Sequence, residues 1–174
     1  MASTWTLLIQ GKTFAATTVM LGILNSGSNV ERVRRVGMIN YQTAAVTGVI
    51  CALELRRYPA TMTWTTPTSV SPVKHDTNNS ALSSVTTGHA GTPGGSTPDV
   101  LRRFIWSSDE ASASTATSDE WECLVPLNIL WDAGYGDASV QALALRQNEG
   151  MVLYNNSGAA GIVDAWMEFT DEAS

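Results

Sequence analysis

In "GVICALELRR", residues Gly48 to Arg57, the side chains of Val49, Cys51, Leu53 and Leu55 alternate with those of Ile50, Ala52, Glu54 and Arg56. A period of two sends neighbours to opposite faces, which a helix cannot do, so this stretch is a strand with one buried face. "GIVDAWMEF", Gly161 to Phe169, repeats the pattern. Val163, Ala165, Met167 and Phe169 form its apolar face, while Ile162 and Trp166 share the other with Asp164 and Glu168. That second face is too apolar to be wholly solvated. Helical periodicity is scarce.

The same alternation predicts short strands at Trp5–Ile9, Thr17–Leu24, Glu31–Ile39, Leu101–Trp106, Trp121–Val125, Ala142–Arg146 and Met151–Tyr154, about nine with the two above. Turn chemistry separates them. "NSGSN" from Asn25 and "NNSGAAG" from Asn155 supply residues that tolerate positive φ, and both read as hairpin corners, one near each end of the chain. "RQNEG" closes a hairpin before Met151.

Residues 58–100 differ, holding five of the six prolines and ten threonines. They predict one long loop with room for a short strand around Leu82–Thr86. The polar stretch "SSDEASASTATSDE", Ser107 to Glu120, connects two strands and has room for one helical turn. Neither is a domain boundary, so residues 1–174 form a single domain. Eight or nine short antiparallel strands with long excursions predict an all-β, jelly-roll-like β-sandwich. An immunoglobulin-like sandwich is the rival, and its usual length of about 100 residues is too short.

Charge narrows the function. The net charge of −6 argues against nucleic acid as a partner. Residues 1–103 carry nine Lys or Arg against four acids, +5, and residues 104–174 carry one Arg against twelve acids, −11. Either strands from the two halves interleave within one domain, or the basic side of one copy meets the acidic side of the next. Only 15% of residues are charged, and the surface relies on Thr, Ser and Asn. Cys51 and Cys123 sit in apolar alternation and predict two reduced core thiols, although a disulfide follows if those faces oppose each other. The start "MASTWTLLIQGK" lacks a basic region and a long apolar run, and the uncharged run Thr13–Val30 is too polar to span a membrane, which predicts a soluble chain without Sec export.

No constellation specifies a reaction. His75 and His89, even with Asp76, lack metal-ligand spacing, and no Gly-x-Ser-x-Gly elbow occurs. Asp109/Glu110 and Asp119/Glu120 read as solvated loop acids, and "GYG" and "GTPGG" as turns. No catalytic residue, metal or cofactor is predicted. Trp5, Trp106, Trp121 and Trp166 fall within strands and read as core or interface anchors. Eight of ten cations are Arg, six of them in the adjacent pairs Arg34-Arg35, Arg56-Arg57 and Arg102-Arg103. In a strand each pair puts one guanidinium on each face, so one fork needs a sheet rim or a carboxylate.

The segments "NYQTAAVTGVICALELRRYPA", "PVKHD", "LRRFIWSSDE", "LVPLNILWDAGYGD" and "LRQNEGMVLYNNSGAAGIVDAWMEF" resemble small virion structural proteins of tailed bacteriophages, particularly capsid decoration or cement proteins with a β-sandwich body. The resemblance runs from about Val30 to the C-terminus. It implies a non-enzymatic subunit on the capsid exterior, made in the host cytoplasm, that forms homo-oligomers, as trimers, and binds the phage major capsid protein lattice. A carbohydrate-binding module or tail-fibre tip, with Trp64 as its platform, is the alternative. Outward contacts are expected from the loop Tyr58–Val100 and a possible N-terminal arm, Met1–Lys12, through Trp5, Met62 and Trp64. At least one of Arg35, Arg57 and Arg103 is expected to form a bidentate pair with an acid of the C-terminal half, with Asp109, Glu120 and Glu122 as candidates.

Overall fold

The structure is a computed structural model that describes residues 2–41, 49–82, 84–108, 129–133, 141–158 and 160–173. Among these it is all-β, an antiparallel sandwich of two six-stranded sheets with a small two-stranded ribbon. The first sheet holds β1 (Ser3–Phe14), β3 (Val30–Asn40), β7 (Val73–Lys74), β11 (Ile129–Asp132), β12 (Leu143–Leu145) and β14 (Gly161–Glu172). Its order is β11-β3-β14-β1-β7, with β12 also on β3. The second holds β2 (Val19–Asn25), β4 (Val49–Tyr58), β6 (Thr68–Ser69), β8 (Val85–His89), β10 (Asp99–Ser108) and β13 (Gly150–Asn155), in the order β10-β4-β13-β2-β8-β6. β5 (Thr63–Thr65) pairs with β9 (Thr92–Gly94).

The pairings are nested. β1 pairs with β14, β2 with β13, β3 with β12 and β11, and β4 with β10. The chain is therefore doubled back on itself as a two-stranded ribbon, and successive ribbon segments fall in alternate sheets. Such pairing sets the basic half beside the acidic half along the ribbon. Arg32–Glu172 at 2.6 Å, Arg35–Asp132 at 3.1 Å and Arg57–Glu149 at 3.2 Å all join the two halves. Within one chain, interleaved strands bring the opposite charges together.

Nested pairing also corrects the reading of the Asn-Ser-Gly stretches. They are not hairpins: β2 and β13 lie in one sheet and β3 and β14 in the other, so each stretch arches from sheet to sheet. Both β2 and β13 end on a fully buried asparagine. Asn25 Oδ1 accepts from the Gly27 N–H at 2.9 Å, and its amide donates to the Asn29 and Leu145 carbonyls. Asn155 Oδ1 accepts from the Ser157 N–H at 3.2 Å, and its amide donates to the Ala15 carbonyl at 2.9 Å. Each side chain thus closes its own turn and holds the neighbouring corner of the ribbon, replacing ladder bonds lost where the ribbon bends.

The core lies between the sheets, built by the predicted alternation: Leu7, Ile9, Cys51, Leu53, Leu55, Val163, Ala165, Met167 and Phe169 are all buried in it. The sequence "VRRV" breaks that alternation. Opposite Glu168 and Phe169, Arg34 is an extra residue, so Val33 and Val36 both reach the core and neither arginine is buried. The pair Arg56-Arg57 keeps strict alternation, and Arg102-Arg103 follows a second bulge, at Leu101, the extra residue between Val100 and Arg102. Arg56 lies on the outer face of its sheet over the Tyr154 ring, and Arg57 is opposite core residue Met151. Arg102 is opposite core residue Leu55, and Arg103 is opposite Glu54.

Residues 58–100 form more strand than expected. β5 to β9 all lie here and, with β11, which the alternation did not predict, raise the strands to fourteen among the described residues; the strand expected at Leu82–Thr86 is β8, Val85–His89. β7 extends the first sheet beside β1, while β8 and β6 extend the second beside β2. Ahead of β6 the chain crosses the outer face of the second sheet, where Met62 and Trp64 pack with Val19, Tyr58 and Val152. Gly150 and Gly22 make this approach possible, because a Cβ on either would crowd Met62 or Trp64. The expected strand Trp121–Val125 and the polar stretch from Asp109 lie outside the described residues.

Candidate functional site: polar clusters and an exposed sheet face

The predicted contact residues are placed inward. Residues 3–14 are no arm: β1 lies between β14 and β7, and Trp5 is buried opposite Phe169 in the core. Met62 is buried as well. Trp64 is half-buried, its indole N–H donating to the Ala90 carbonyl at 2.9 Å. The physical expectation that apolar side chains in a long connection need a covering surface holds, and that surface belongs to the same chain. A sugar platform needs an exposed indole face, which this placement of Trp64 restricts.

Arg35 and Arg57 both meet acids of the C-terminal half, though not those expected. Their partners are Asp132 and Glu149, while Asp109, Glu120 and Glu122 lie outside the described residues, as does Cys123. Arg57 reaches Glu149 through Nη2 alone. Arg103 is a correction: its partner at 3.0 Å is Glu54, an N-terminal-half acid directly across the ladder. Glu54 is the hub of this outer face. Its side chain is 4% exposed and takes Arg56 at 2.6 Å, Arg103, and the Asn156 amide at 3.1 Å. Burial pushes its carboxyl upward, but the two guanidiniums outweigh that and hold it below its ordinary value. The signal was legible in "ELR", because residues i and i+2 of a strand share a face.

Glu31 carried no such signal. It points into the end of the core, fully buried, and neither carboxylate oxygen has a hydrogen-bond partner. Asp171 is directly opposite on β14 and accepts the Asn29 amide at 2.7 Å. Burial first, then the neighbouring Asp171 charge, pushes Glu31 up to about 8. Only the register of β3 against β14 brings the two acids together. Cys51 is a buried free thiol pushed up by burial, and burial with Lys12 pushes His89 down. His75 Nε2 lies 2.7 Å from the Thr6 hydroxyl. No group of three or more metal-binding side chains occurs among the described residues, and none of their helices is long and apolar enough to cross a membrane.

One face remains open. On the outer side of the first sheet, Leu8, Trp166, Gly37 and Ile129 stand opposite one another across β1, β14, β3 and β11. The Trp166 ring lies over Gly37, where a Cβ would overlap it. Leu8 is 38% exposed, and Ile39 at 40% and Tyr41 at 50% continue the apolar surface. Beside it runs a charged row, Glu168, Arg35 and Asp132. This is the half-apolar face anticipated from "GIVDAWMEF".

No protein family, curated protein or solved structure matches the chain.

Proposed function

We propose that this chain is a non-enzymatic structural protein of a tailed-phage virion, a capsid decoration protein that self-associates as a trimer and binds the major capsid protein lattice. The observation that carries the reading is the apolar patch on the outer side of the first sheet, exposed Leu8 and Ile39 beside half-buried Trp166, with a charged row next to it, which suits packing against another folded surface. The nested ribbon supports the fold half of the resemblance. Two sheets sharing successive segments of one doubled chain suit a jelly-roll-like winding. The mechanism is mass action: a protein that binds only the assembled shell adds its binding free energy to that state and raises the shell's resistance to heat.

The test combines sedimentation of the purified chain with co-pelleting on capsids of its phage. Trimer mass and lattice binding are expected, both lost in the double variant Leu8→Asp/Ile39→Asp, whose half-exposed positions leave the core intact. A monomer at micromolar concentration that fails to bind capsids refutes the reading.

A further inference from the structure

Residues 62–94, which hold β5 to β9, leave and rejoin the sandwich through one neck. The chain departs at Thr61, shortly after β4 ends at Tyr58, and returns at Gly95, where a Cβ would overlap the Thr61 carbonyl. What lies between docks as a unit on both sheets. β7 pairs with β1 and β8 with β2, while the Met62 and Ala90 N–H groups donate to the Asn148 and Val19 carbonyls, each at 2.8 Å. Met62 and Trp64 pack over Val19 and Val152, and Val70, Leu82 and Val85 pack against the main core. A unit held by so many contacts but joined at one narrow neck can cover its own body or an identical one.

The neck is strained. Thr61 holds φ at 46°, in the left-handed region, where the branched Cβ of threonine is crowded against its own backbone. Gly95, with φ at 95°, meets it from the returning strand. Pro59 and Pro98 stand on either side of this crossing, and each biases the residue before it toward an extended backbone, which favours straight passage over a tight reversal. If the unit docks on a second copy, every contact it makes with a body is reproduced, so those contacts cancel between the closed and the exchanged forms. The balance is then set by the strain that an opened neck releases and by whatever new contact the copies make. We infer that copies of this chain exchange residues 62–94, each unit covering the second sheet of a neighbour with its own Met62 and Trp64. The inference rests on the self-association proposed above and adds what locks it: the exposed face of the first sheet supplies the new contact, and exchange makes its release slow, because each unit must undock before copies part.

The test reads which body each unit docks on. Thr6 of β1 and Val73 of β7 lie directly opposite each other, Thr6 half-buried and Val73 exposed, so cysteines at both positions can join the unit to the body that holds it. The full chain carrying Thr6→Cys/Val73→Cys is sedimented, oxidised with glutathione disulfide and run on a denaturing gel without reductant. Each single-cysteine variant controls for random cross-links. A covalent band at the mass of the sedimenting oligomer, the trimer, is expected. Thr61→Gly takes the left-handed conformation without the Cβ clash, which relaxes the closed neck, and is expected to raise the concentration for half-assembly about tenfold. A single-copy band from material that sediments as an oligomer overturns the exchange and leaves the proposed self-association standing, as does an unchanged assembly midpoint in Thr61→Gly. A chain that sediments only as a monomer overturns both.

Discussion

Glu31 makes the stability of this fold depend on pH in an unusual direction. Its carboxyl is fully buried, without a hydrogen-bond partner and opposite Asp171, and its midpoint moves from an ordinary 4.5 to about 8. Between these values the folded chain holds a proton that the unfolded chain has released. The contribution to stability is therefore greatest below 4.5, falls by about 1.4 kcal/mol per pH unit as pH rises, and levels off above about 8. From pH 5 to 8 the loss is roughly 4 kcal/mol, a large share of the roughly 5 to 15 kcal/mol that holds a typical domain together. Glu31→Gln keeps the shape and removes the titration. Urea unfolding of parent and variant at several values between pH 4 and pH 9 isolates this group together with its coupling to Asp171 and Glu172, since the titrations of uncoupled groups cancel in the difference. Near pH 4 the two are expected to agree within about 1 kcal/mol, with the variant gaining steadily to an advantage of roughly 4 kcal/mol at pH 8. Parallel profiles, with a gap that changes by less than about 0.5 kcal/mol across that range, would show that Glu31 is solvated or paired in the folded chain and refute the argument.

The strap over the second sheet is expected to depend on Met62, so Met62→Ala should cost about 2 to 4 kcal/mol in urea unfolding and expose the Tyr58–Val100 segment to protease. Gly150→Ala should destabilise it similarly, through crowding instead of a cavity. At the corners, Asn25→Ala should cost about 2 to 3 kcal/mol because it strands the buried Leu145 carbonyl, and Asn155→Ala about 1 to 2 kcal/mol because water can reach the Ala15 carbonyl of an exposed residue, whereas Ser28→Ala should cost less than about 0.5 kcal/mol; thermal melts separate the three. Replacing Arg35, Arg57 and Arg103 each by Lys keeps the charge and loses the fork. Arg57→Lys should cost most, about 1 to 2 kcal/mol, and Arg103→Lys, whose side chain is 74% exposed, under about 0.5 kcal/mol, with oligomer mass unchanged in all three. A large cost or altered mass for Arg103→Lys would place that side chain at a contact between subunits.

Alternation alone determined that this chain is all-β and which faces are buried. The core residues Cys51, Leu53 and Leu55 and the set from Val163 to Phe169 follow from a period of two, which is a local property of successive backbone units. The pairing of acids was legible only where both members share one strand, as Glu54 and Arg56 do. Which strand lies beside which is a property of distant segments. Only the nested ribbon turned Asn25 and Asn155 from hairpin residues into arches between sheets, placed Asp132 against Arg35, and set Glu31 opposite Asp171. The same holds for Trp5, Met62 and Trp64. Their need for a covering surface follows from their chemistry, but whether that surface belongs to another molecule or to the same chain depends on the path of the backbone, and here Gly22 and Gly150 open the outer face of the second sheet to receive two of them.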